Sequence, residues 1–356
     1  MARTTDQRRL NVVLIGKVAS KAQEILRGYL KPRCLLRPFP IARENAELRK
    51  ALAGADVAVG NYFTERMARA ARNLKLLQAP NAGVDSFCLT KLSPGITVAN
   101  AYFHGPAVAE YVIMMILALS RNLLEMDALF RKGEWRESWI KGELPREEIL
   151  GKVLGMVGFG NIGREVAVRA RALGMKIIVI SAHPPARKPK GVDFWKGPEA
   201  LEQLLRASDY VVPACPLNKD TEGLIGLKEF RWMKRNAFLV NVSRGPVVQE
   251  AALYHALKSR RIAGAAIDVW YRYPKDDHPT RPSRFPFHKL QNLIMTPHVS
   301  GWMRGTRDQR LRLVAANINR LASGQSLLNV VQGPKRHHRS EWTPEASSRG
   351  AHGLAG

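Results

Sequence analysis

Three residues that can act on a carbonyl group follow three separate apolar runs of the sequence. Arg244 comes after AFLVNV, Asp268 after GAAI, and His298 after NLIMTP. Parallel sheets bind ligands beyond the carboxyl ends of their strands, so these side chains are expected to share one sheet edge. There a guanidinium can hold a 2-keto acid through two hydrogen bonds, and an imidazole can protonate the carbonyl oxygen as a hydride arrives. The pattern predicts carbonyl reduction.

A glycine-rich turn upstream predicts the hydride carrier. Gly158, Gly160 and Gly163 fit the spacing GxGxxG between the apolar run VLGMV and an amphipathic helical segment. The first glycine permits a tight turn, the second lets the backbone approach a pyrophosphate, and the third allows the helix to pack closely on the strand. The N–H groups and dipole of the helix N-terminus then bind the phosphates. The segment is typical of a dinucleotide site.

The residue that ends the next apolar run distinguishes between nucleotides. NAD-binding chains place a carboxylate there, which accepts hydrogen bonds from the ribose 2′-hydroxyl. Here KIIVI is followed by Ser181, then by His183 and Arg187, and the first carboxylate is Asp193. A carboxylate would repel a 2′-phosphate, whereas a hydroxyl with basic neighbours suits it. The sequence therefore favours NADP, with NAD left open.

Two alternating series of elements must position these residues. From residue 11 to about 100, and again from 153 to 297, short apolar runs alternate with amphipathic segments, which predicts βαβ units. We therefore predict an α/β fold with two doubly wound parallel-sheet domains. The predicted boundaries are 1–105 with 300–333 for a discontinuous first domain, 106–299 for the dinucleotide-binding domain, and 334–356 for a disordered tail.

A single long helix is predicted between the two series, from Pro106 to about Arg131. Nearly all its faces are apolar, so we expect it to be buried between domains or subunits. Its longest apolar stretch, 107–120, contains Glu110 and is too short to cross a bilayer core of about 30 Å. The first ten residues contain no apolar run, so no signal peptide is expected and a cytoplasmic location is predicted.

The composition is typical of a soluble globular protein, with 46% hydrophobic and 24% charged residues in 356. Its three cysteines are far apart, so neither a disulfide framework nor a metal site is predicted. The net charge of +26 attracts anions; whether it steers an anionic substrate or only reflects the composition of the source organism stays open. The basic residues are dispersed, so neither nucleic acid nor a membrane is an expected partner.

Several segments resemble, in the same order, the D-isomer-specific 2-hydroxyacid dehydrogenase family, including its formate dehydrogenase-like and glyoxylate–hydroxypyruvate reductase-like members. The resemblance extends from about residue 50 to 305. The matching segments are NAGVD (81–85), AVAEYVIMMILALSR (107–121), LGMVGFGNIGR (154–164), CPLNKDTEGLIG (215–226), LVNVSRGPVV (239–248), AAIDVW (265–270) and TPHVSG (296–301).

The resemblance implies a flavodoxin-like substrate domain in two pieces, an inserted Rossmann domain, a cleft between them and usually a homodimer. It implies that Arg244 binds substrate, that His298 is the acid or base, and that Asp268 positions the nicotinamide carboxamide. Backbone N–H groups of Ala82 and Gly83 are expected to hold the substrate carboxylate. The expected cofactor contacts are Gly158, Gly160, Asn161, Ile162, Gly163, Ser181, His183, Arg187, Pro216, Thr221, Val242, Asp268 and Gly301.

One position departs from the family pattern. Where members carry a catalytic glutamate, or a glutamine in formate dehydrogenases, this chain has Tyr273. A phenol can orient the imidazole of His298, but it carries no charge near neutral pH and cannot stabilise an imidazolium as a carboxylate does. We therefore expect a working reductase that favours lower pH; the alternative is a reaction that needs little proton transfer. His104, which corresponds to a formate-binding asparagine, is a further candidate for the substrate pocket.

The sequence thus predicts an NAD(P)-dependent oxidoreductase that interconverts a small 2-keto acid and its D-2-hydroxy acid. Two other functions stay open, namely formate oxidation and a non-enzymatic, corepressor-like nucleotide sensor. The retained Arg244 and His298 favour the enzyme, since a sensor needs no acid or base beside the path of a hydride. Large side chains next to the catalytic positions favour acids the size of glyoxylate or hydroxypyruvate. They are Trp270, Tyr271, Trp302 and Met303.

Overall fold

The computed structural model describes residues 9–31, 34–41, 44–135, 140, 146–274 and 279–334. In this part of the chain there are two compact units. The first contains the residues up to Phe103 and those from Arg304 onward, and the second is the continuous segment His104–Met303. The first limit, Phe103, lies two residues before the expected residue 105, and the second, Met303, lies four residues after the expected residue 299. Apart from Pro334, the predicted tail lies outside the described residues.

The first unit is a six-stranded sheet with helices on both faces. Its elements are β1 (Leu10–Ile15), α1 (Gly16–Ser20), α2 (Gln23–Tyr29), β2 (Cys34–Phe39), α3 (Ala46–Ala53), β3 (Val57–Gly60), α4 (Glu65–Ala70), β4 (Leu76–Gln78), β5 (Thr97–Ala99), α11 (Arg304–Ala322) and β13 (Val330–Gln332). The strand order is β2-β1-β3-β4-β5-β13, parallel except for the pair of β13 with β5, which is the flavodoxin-like arrangement. Alternate residues of β1 enter two cores: Val12 packs with α2 and α11, and Val13 with α3 and α4.

The second unit is a seven-stranded parallel sheet. Its elements are α5 (Gly105–Arg121), α6 (Leu123–Phe130), β6 (Val153–Val157), α7 (Asn161–Ala172), β7 (Lys176–Ile180), β8 (Phe194–Lys196), α8 (Leu201–Ala207), β9 (Tyr210–Pro213), α9 (Leu227–Trp232), β10 (Phe238–Asn241), α10 (Glu250–Lys258), β11 (Gly264–Ile267) and β12 (Leu293–Met295). The strand order β8-β7-β6-β9-β10-β11-β12 reverses direction between β6 and β9, as in a Rossmann fold. The predicted class, two parallel α/β sheets, is confirmed.

The prediction of one helix from Pro106 to Arg131 is wrong. α5 ends at Arg121, Asn122 adopts a left-handed conformation (φ 51°, ψ 37°), and α6 continues at 59° to α5. Asparagine tolerates this conformation, so the chain bends without a loop. Burial is confirmed only for one face of α5, since Met114 is exposed and α6 has no buried residue. Among the described helices none is by itself long and apolar enough to span a membrane; α5 and α6 together reach that length and composition only as a pair bent by 59°.

Three strands escaped prediction, namely β5, β8 and β13. Each is three residues long, but β4 and β12 are equally short, so the length of a strand alone does not explain why it was not predicted. Each lies at or next to an edge of its sheet, so the order of the central strands was predictable without them.

Candidate active site

The glycine-rich turn joins β6 to α7, and its geometry explains the three glycines. Gly158 has a φ of +98°, and a Cβ on it would lie 2.8 Å from the backbone nitrogen of Cys215. A Cβ on Gly163 would lie 2.8 Å from the carbonyl oxygen of Gly158. Gly160 borders open space instead, since a Cβ there would meet no heavy atom within 4 Å. The backbone is therefore accessible at the glycine where a pyrophosphate would approach.

α7 starts directly after this accessible glycine. Gly160 is its N-cap and offers no side chain, so no side-chain cap covers the first turn at Asn161, Ile162 and Gly163. Uncapped N–H groups and a helix dipole bind phosphate. Together with the open space at Gly160, they fit the pyrophosphate of a dinucleotide.

Ser181 directly follows β7, at the carboxyl end of the sheet. The indole N–H of Trp195 donates to Ser181 Oγ over 2.8 Å. Because that oxygen already accepts a hydrogen bond, the hydroxyl hydrogen of Ser181 is left to donate to a ligand. His183 and Arg187 lie exposed in the loop that follows. These groups are compatible with a phosphate, which accepts hydrogen bonds and attracts cations.

Four further predicted cofactor residues lie in loops at the same edge. The hydroxyl of Thr221 donates to the carbonyl of Pro216 over 2.6 Å, so it shapes the loop after β9. Val242 directly follows β10 and is buried. Gly301 lies beside the N-cap of α5, because a Cβ on it would be 3.1 Å from Cβ of His104. His104 is thus half-buried next to the loop that carries the predicted acid or base.

Arg244, Asp268 and His298 follow β10, β11 and β12, which are neighbours in the sheet. His298 Nδ1 lies 2.9 Å from the hydroxyl oxygen of Tyr273, and that oxygen accepts the backbone N–H of Trp270 over 3.2 Å. A phenol has one hydrogen and two lone pairs, so it can still donate to Nδ1 or accept from it. Tyr273 therefore holds the imidazole ring in place in either tautomer.

Asp268 is fully buried, and its carboxylate binds residues on both sides of His298. Oδ1 accepts from the Thr296 hydroxyl over 2.6 Å and from the Val299 N–H over 2.9 Å, and Oδ2 accepts from the Ser300 N–H over 2.9 Å. These bonds enclose the turn in which His298 has a φ of +59°. The expected contact of Asp268 with a nicotinamide stays a prediction; its contacts in this structure stabilise the histidine turn.

Arg244 lies in a loop that Asn241 shapes. The Asn241 side chain donates to the carbonyl of Arg244 over 3.2 Å and accepts from the Ser243 N–H over 3.1 Å. The guanidinium of Arg244 donates to the Ser243 carbonyl over 2.8 Å. Gly245 allows the chain to pass against Trp270, since a Cβ there would overlap the Trp270 carbonyl. The arginine loop and the tyrosine–histidine pair therefore share Trp270 as a neighbour.

The predicted carboxylate-binding residues Ala82 and Gly83 belong to the first unit. They lie in the turn after β4, where the side-chain amide of Asn100 donates to the Ala82 carbonyl over 2.7 Å. Asn100 is itself buried, so it fixes the turn from within the unit.

Sequence reasoning missed the residues that support the site rather than face it. Thr296, Trp195 and Asn100 bind the predicted residues through single hydrogen bonds. Thr296 directly follows β12, which was predicted, and could have been suspected for that reason, whereas Asn100 follows the unpredicted β5 and nothing in the sequence marks Trp195.

The free thiol next to the dinucleotide turn is not poised as a nucleophile. Burial raises the pKa of Cys215 to about 11, so the thiol stays protonated at neutral pH. No cluster of three or more His, Cys, Asp and Glu residues that could hold a metal is present in the described ranges.

Comparison with known proteins assigns the segment that contains these residues to a family. Residues 113–300 match the family described as D-isomer specific 2-hydroxyacid dehydrogenase, NAD binding domain. The chain is similar to the hydroxypyruvate reductase of Thermotoga maritima, at 35% identity over 261 residues, which cover 72% of this chain and 81% of that protein. It is 38% identical over 224 residues to the glyoxylate reductase of Thermococcus kodakarensis, covering 62% of this chain and 64% of that protein. The matched region is thus less than two thirds of the Thermococcus enzyme.

A solved structure extends the likeness to both units. An acyclic imino acid reductase in complex with NADPH and D-Arg superimposes with a TM-score of 0.75 and 27% identity. The superposition covers 90% of this chain and 100% of that one.

Proposed function

The chain belongs to the D-isomer-specific 2-hydroxyacid dehydrogenase family, and on this basis we propose that it is an NAD(P)-dependent oxidoreductase that interconverts a small 2-keto acid and its D-2-hydroxy acid. The observation that carries the proposal is that Arg244, Asp268 and His298 follow the neighbouring strands β10, β11 and β12 of the sheet that also carries the dinucleotide turn. The names of the relatives, glyoxylate reductase and hydroxypyruvate reductase, favour these two acids as substrates.

Each predicted catalytic residue has a defined role in this reaction. The nicotinamide, when bound, supplies or accepts the hydride. Arg244 binds the keto acid and stabilises the negative charge that forms on its carbonyl oxygen. His298, as an imidazolium, gives its Nε2 proton to that oxygen while its Nδ1–H donates to Tyr273. In the reverse direction the neutral ring accepts the proton at Nε2, and Ala82 and Gly83 remain the predicted ligands of the carboxylate.

We further propose that NADP is the preferred cofactor. Ser181 occupies the strand-end position where a carboxylate would accept from a 2′-hydroxyl, and its hydroxyl hydrogen is available to a phosphate. Arg187 follows in an exposed loop, where its guanidinium can form charge-assisted hydrogen bonds with that phosphate.

Initial rates with a panel of substrates test both proposals. Glyoxylate, hydroxypyruvate, pyruvate and bulkier keto acids are each assayed with NADPH and with NADH, and formate with the oxidised cofactors. We expect the fastest cofactor oxidation with NADPH and glyoxylate or hydroxypyruvate. Tight cofactor binding without turnover of any substrate would contradict the proposed activity and favour the nucleotide sensor.

A second candidate is a reaction that needs no proton from His298. The phenol at Nδ1 favours this candidate, because Tyr273 brings no charge to stabilise an imidazolium. Formate oxidation is one such reaction. Reduction of an already protonated imino acid is another, and the imino acid reductase of similar fold makes it worth testing. Adding methylamine to the pyruvate assay tests it: N-methylalanine as product would support this candidate, and lactate alone would contradict it.

We also propose that the protein is a homodimer. Exposed apolar side chains line a groove of about 650 Å³ on α5 and α7, which includes Met114, Leu117 and Leu173. Its lining also includes Glu110 and Arg121, whose opposite charges could pair across a two-fold axis between two copies. The cytoplasmic location stays a prediction.

A further inference from the structure

A chain of hydrogen bonds links α5 to the turn that carries His298. The Tyr111 hydroxyl, on α5, lies 2.7 Å from Thr296 Oγ1, and Thr296 Oγ1 lies 2.6 Å from Asp268 Oδ1. Asp268 in turn binds the N–H groups of the two residues that follow His298. Tyr111 and Asp268 are both buried and Thr296 is half-buried, so the two ends of this chain are shielded from water.

The direction of each bond in this chain is fixed by the number of hydrogens. An ionised carboxylate can only accept, so the single hydroxyl hydrogen of Thr296 goes to Asp268. Thr296 Oγ1 must then accept its other bond, and Tyr111 is the donor. Burial raises the pKa of Tyr111 to about 12, so the phenol keeps this hydrogen at neutral pH.

The same residue, Thr296, is held from a second side. The indole N–H of Trp270 donates to the Thr296 carbonyl over 2.8 Å, and the backbone N–H of Trp270 donates to Tyr273 over 3.2 Å. Thr296 therefore connects Tyr111 and Asp268 with the tyrosine that contacts His298. A change in the position of Thr296 is expected to reach the imidazole both through the turn and through Tyr273.

We propose that Tyr111 is a positioning residue for His298: its hydroxyl orients Thr296, so that Asp268 holds the left-handed turn and the imidazole meets the reacting oxygen. This inference rests on the proposed function, because it assumes that His298 transfers the proton. It assigns to α5 a role in the chemistry besides packing. Tyr111 touches neither the substrate nor the cofactor in this proposal, so it acts only through the turn.

Tyr111→Phe removes only the hydroxyl, and the chain offers a matched control in Tyr210→Phe. Tyr210 is equally buried in the same unit, and its hydroxyl lies near another hydroxyl, that of Ser120 on α5. Burial raises its pKa to about 12 as well. The two variants should thus lose similar stability, but only Tyr111→Phe removes a bond that leads to His298.

Steady-state rates with glyoxylate and NADPH are measured for both variants and the wild type. A misplacement of 1 Å costs roughly a hundred-fold in rate, so a smaller shift of the imidazole in Tyr111→Phe should lower kcat by about ten-fold. KM for glyoxylate and Kd for NADPH should stay within about two-fold, since Arg244 and the groups expected to bind the phosphates of the cofactor are unchanged. Tyr210→Phe should retain the wild-type kcat. Equal kcat values in the two variants would overturn the proposal.

The imidazole NMR signals of His298, assigned by their absence in His298→Ala, provide a test that does not need turnover. Tyr111→Phe should shift or broaden these signals, and Tyr210→Phe should leave them unchanged. If the wild type reduces no keto acid but Tyr111→Phe still alters the signals, the proposed function fails and the positioning role stands. Signals that are unchanged in Tyr111→Phe would overturn the positioning role whatever the activity.

Discussion

The hydroxyl of Tyr273 fixes the ring of His298 without bringing a charge to it. It contacts Nδ1 at 2.9 Å and accepts the N–H of Trp270 at 3.2 Å. A carboxylate at the same place would also orient the ring, but it would stabilise the imidazolium and so raise the pKa of the histidine. A glutamate at this position would both orient the imidazole and stabilise its positive charge, whereas Tyr273 only orients it.

Tyr273→Glu is expected to extend keto acid reduction to higher pH. Reduction needs the protonated imidazole, so its rate falls as the pH rises through the pKa of His298. A carboxylate partner raises that pKa by about one unit or more, so the fall should move to higher pH by the same amount. The measurement is the pH dependence of kcat/KM with glyoxylate.

Tyr273→Phe is the matched control, because it removes the hydroxyl and adds no charge. Its rate should be lower, since the ring loses its hydrogen bond, but its profile should not move to higher pH. If Tyr273→Glu follows the wild-type profile instead, Tyr273 is not the electrostatic neighbour of the histidine.

Ser181→Asp is expected to reverse the preference between cofactors. The new carboxylate would repel a 2′-phosphate and accept hydrogen bonds from a 2′-hydroxyl, so the ratio of kcat/KM with NADPH to that with NADH should fall by about ten-fold or more, as for the loss of a charge-assisted bond. Ser323→Asp adds the same charge to an exposed serine of the first unit and should leave the ratio unchanged. An equal ratio in wild type and Ser181→Asp would show that Ser181 does not face the ribose.

At the scale of elements, the break between α5 and α6 decides which apolar residues are exposed. Asn122 is the last cap of one helix and the first cap of the next, and its side-chain amide donates to Glu125 over 2.6 Å. Because Asn122 is the only residue between the two helices, the apolar residues of the sequence keep their helical spacing from α5 to α6. That is why the sequence predicts one helix where the structure has two.

Replacing Asn122 tests how much this left-handed residue contributes to stability. Asn122→Ala and Asn122→Gly both lose the bond to Glu125, but only alanine carries a Cβ that opposes a positive φ. We expect Asn122→Ala to have a free energy of unfolding about 1 kcal/mol lower than Asn122→Gly. Denaturant unfolding of the two variants measures the difference. Equal stabilities would mean that the helices straighten when the asparagine is lost.

The sequence predicts which residues lie at strand ends, but it does not predict their long-range hydrogen-bond partners. Strand ends are local, so Arg244, Asp268 and His298 could be assigned to one edge from apolar runs and sheet topology alone. The hydrogen-bond partner of a residue at a strand end can lie far away in the sequence. Tyr111 lies 185 positions before Thr296, and the helical pattern of α5 does not tell which of its residues contacts the residue after β12. The open space at Gly160 could be anticipated, because a glycine spacing records a requirement of the backbone itself.

At the scale of the whole molecule, the exposed apolar surface of α5 and α7 is where a second copy is expected. Light scattering should give twice the chain mass of 39.7 kDa for the wild type. Met114→Glu places a charge in this surface and should yield the monomer. Val331→Glu is the matched control, since Val331 is 43% exposed and Met114 is 52% exposed, but Val331 lies on the edge strand of the other unit. A monomeric wild type, or dissociation in both variants, would contradict the assignment of this surface.

The discontinuous first unit also constrains the order in which a ribosome can complete the molecule. Leu311, Val314 and Ile318 of α11 fill the core beneath β1, and β13 closes the sheet beside β5. These segments are synthesised only after the whole of the second unit. Until then one face of the amino-terminal sheet is covered only by α1 and α2, and the edge at β5 is unpaired; exposed apolar surface and unpaired edges promote misassembly. The contiguous Rossmann unit can fold first, whereas the part of the first unit that ends at Phe103 can complete its core and its sheet only once α11 and β13 have been synthesised.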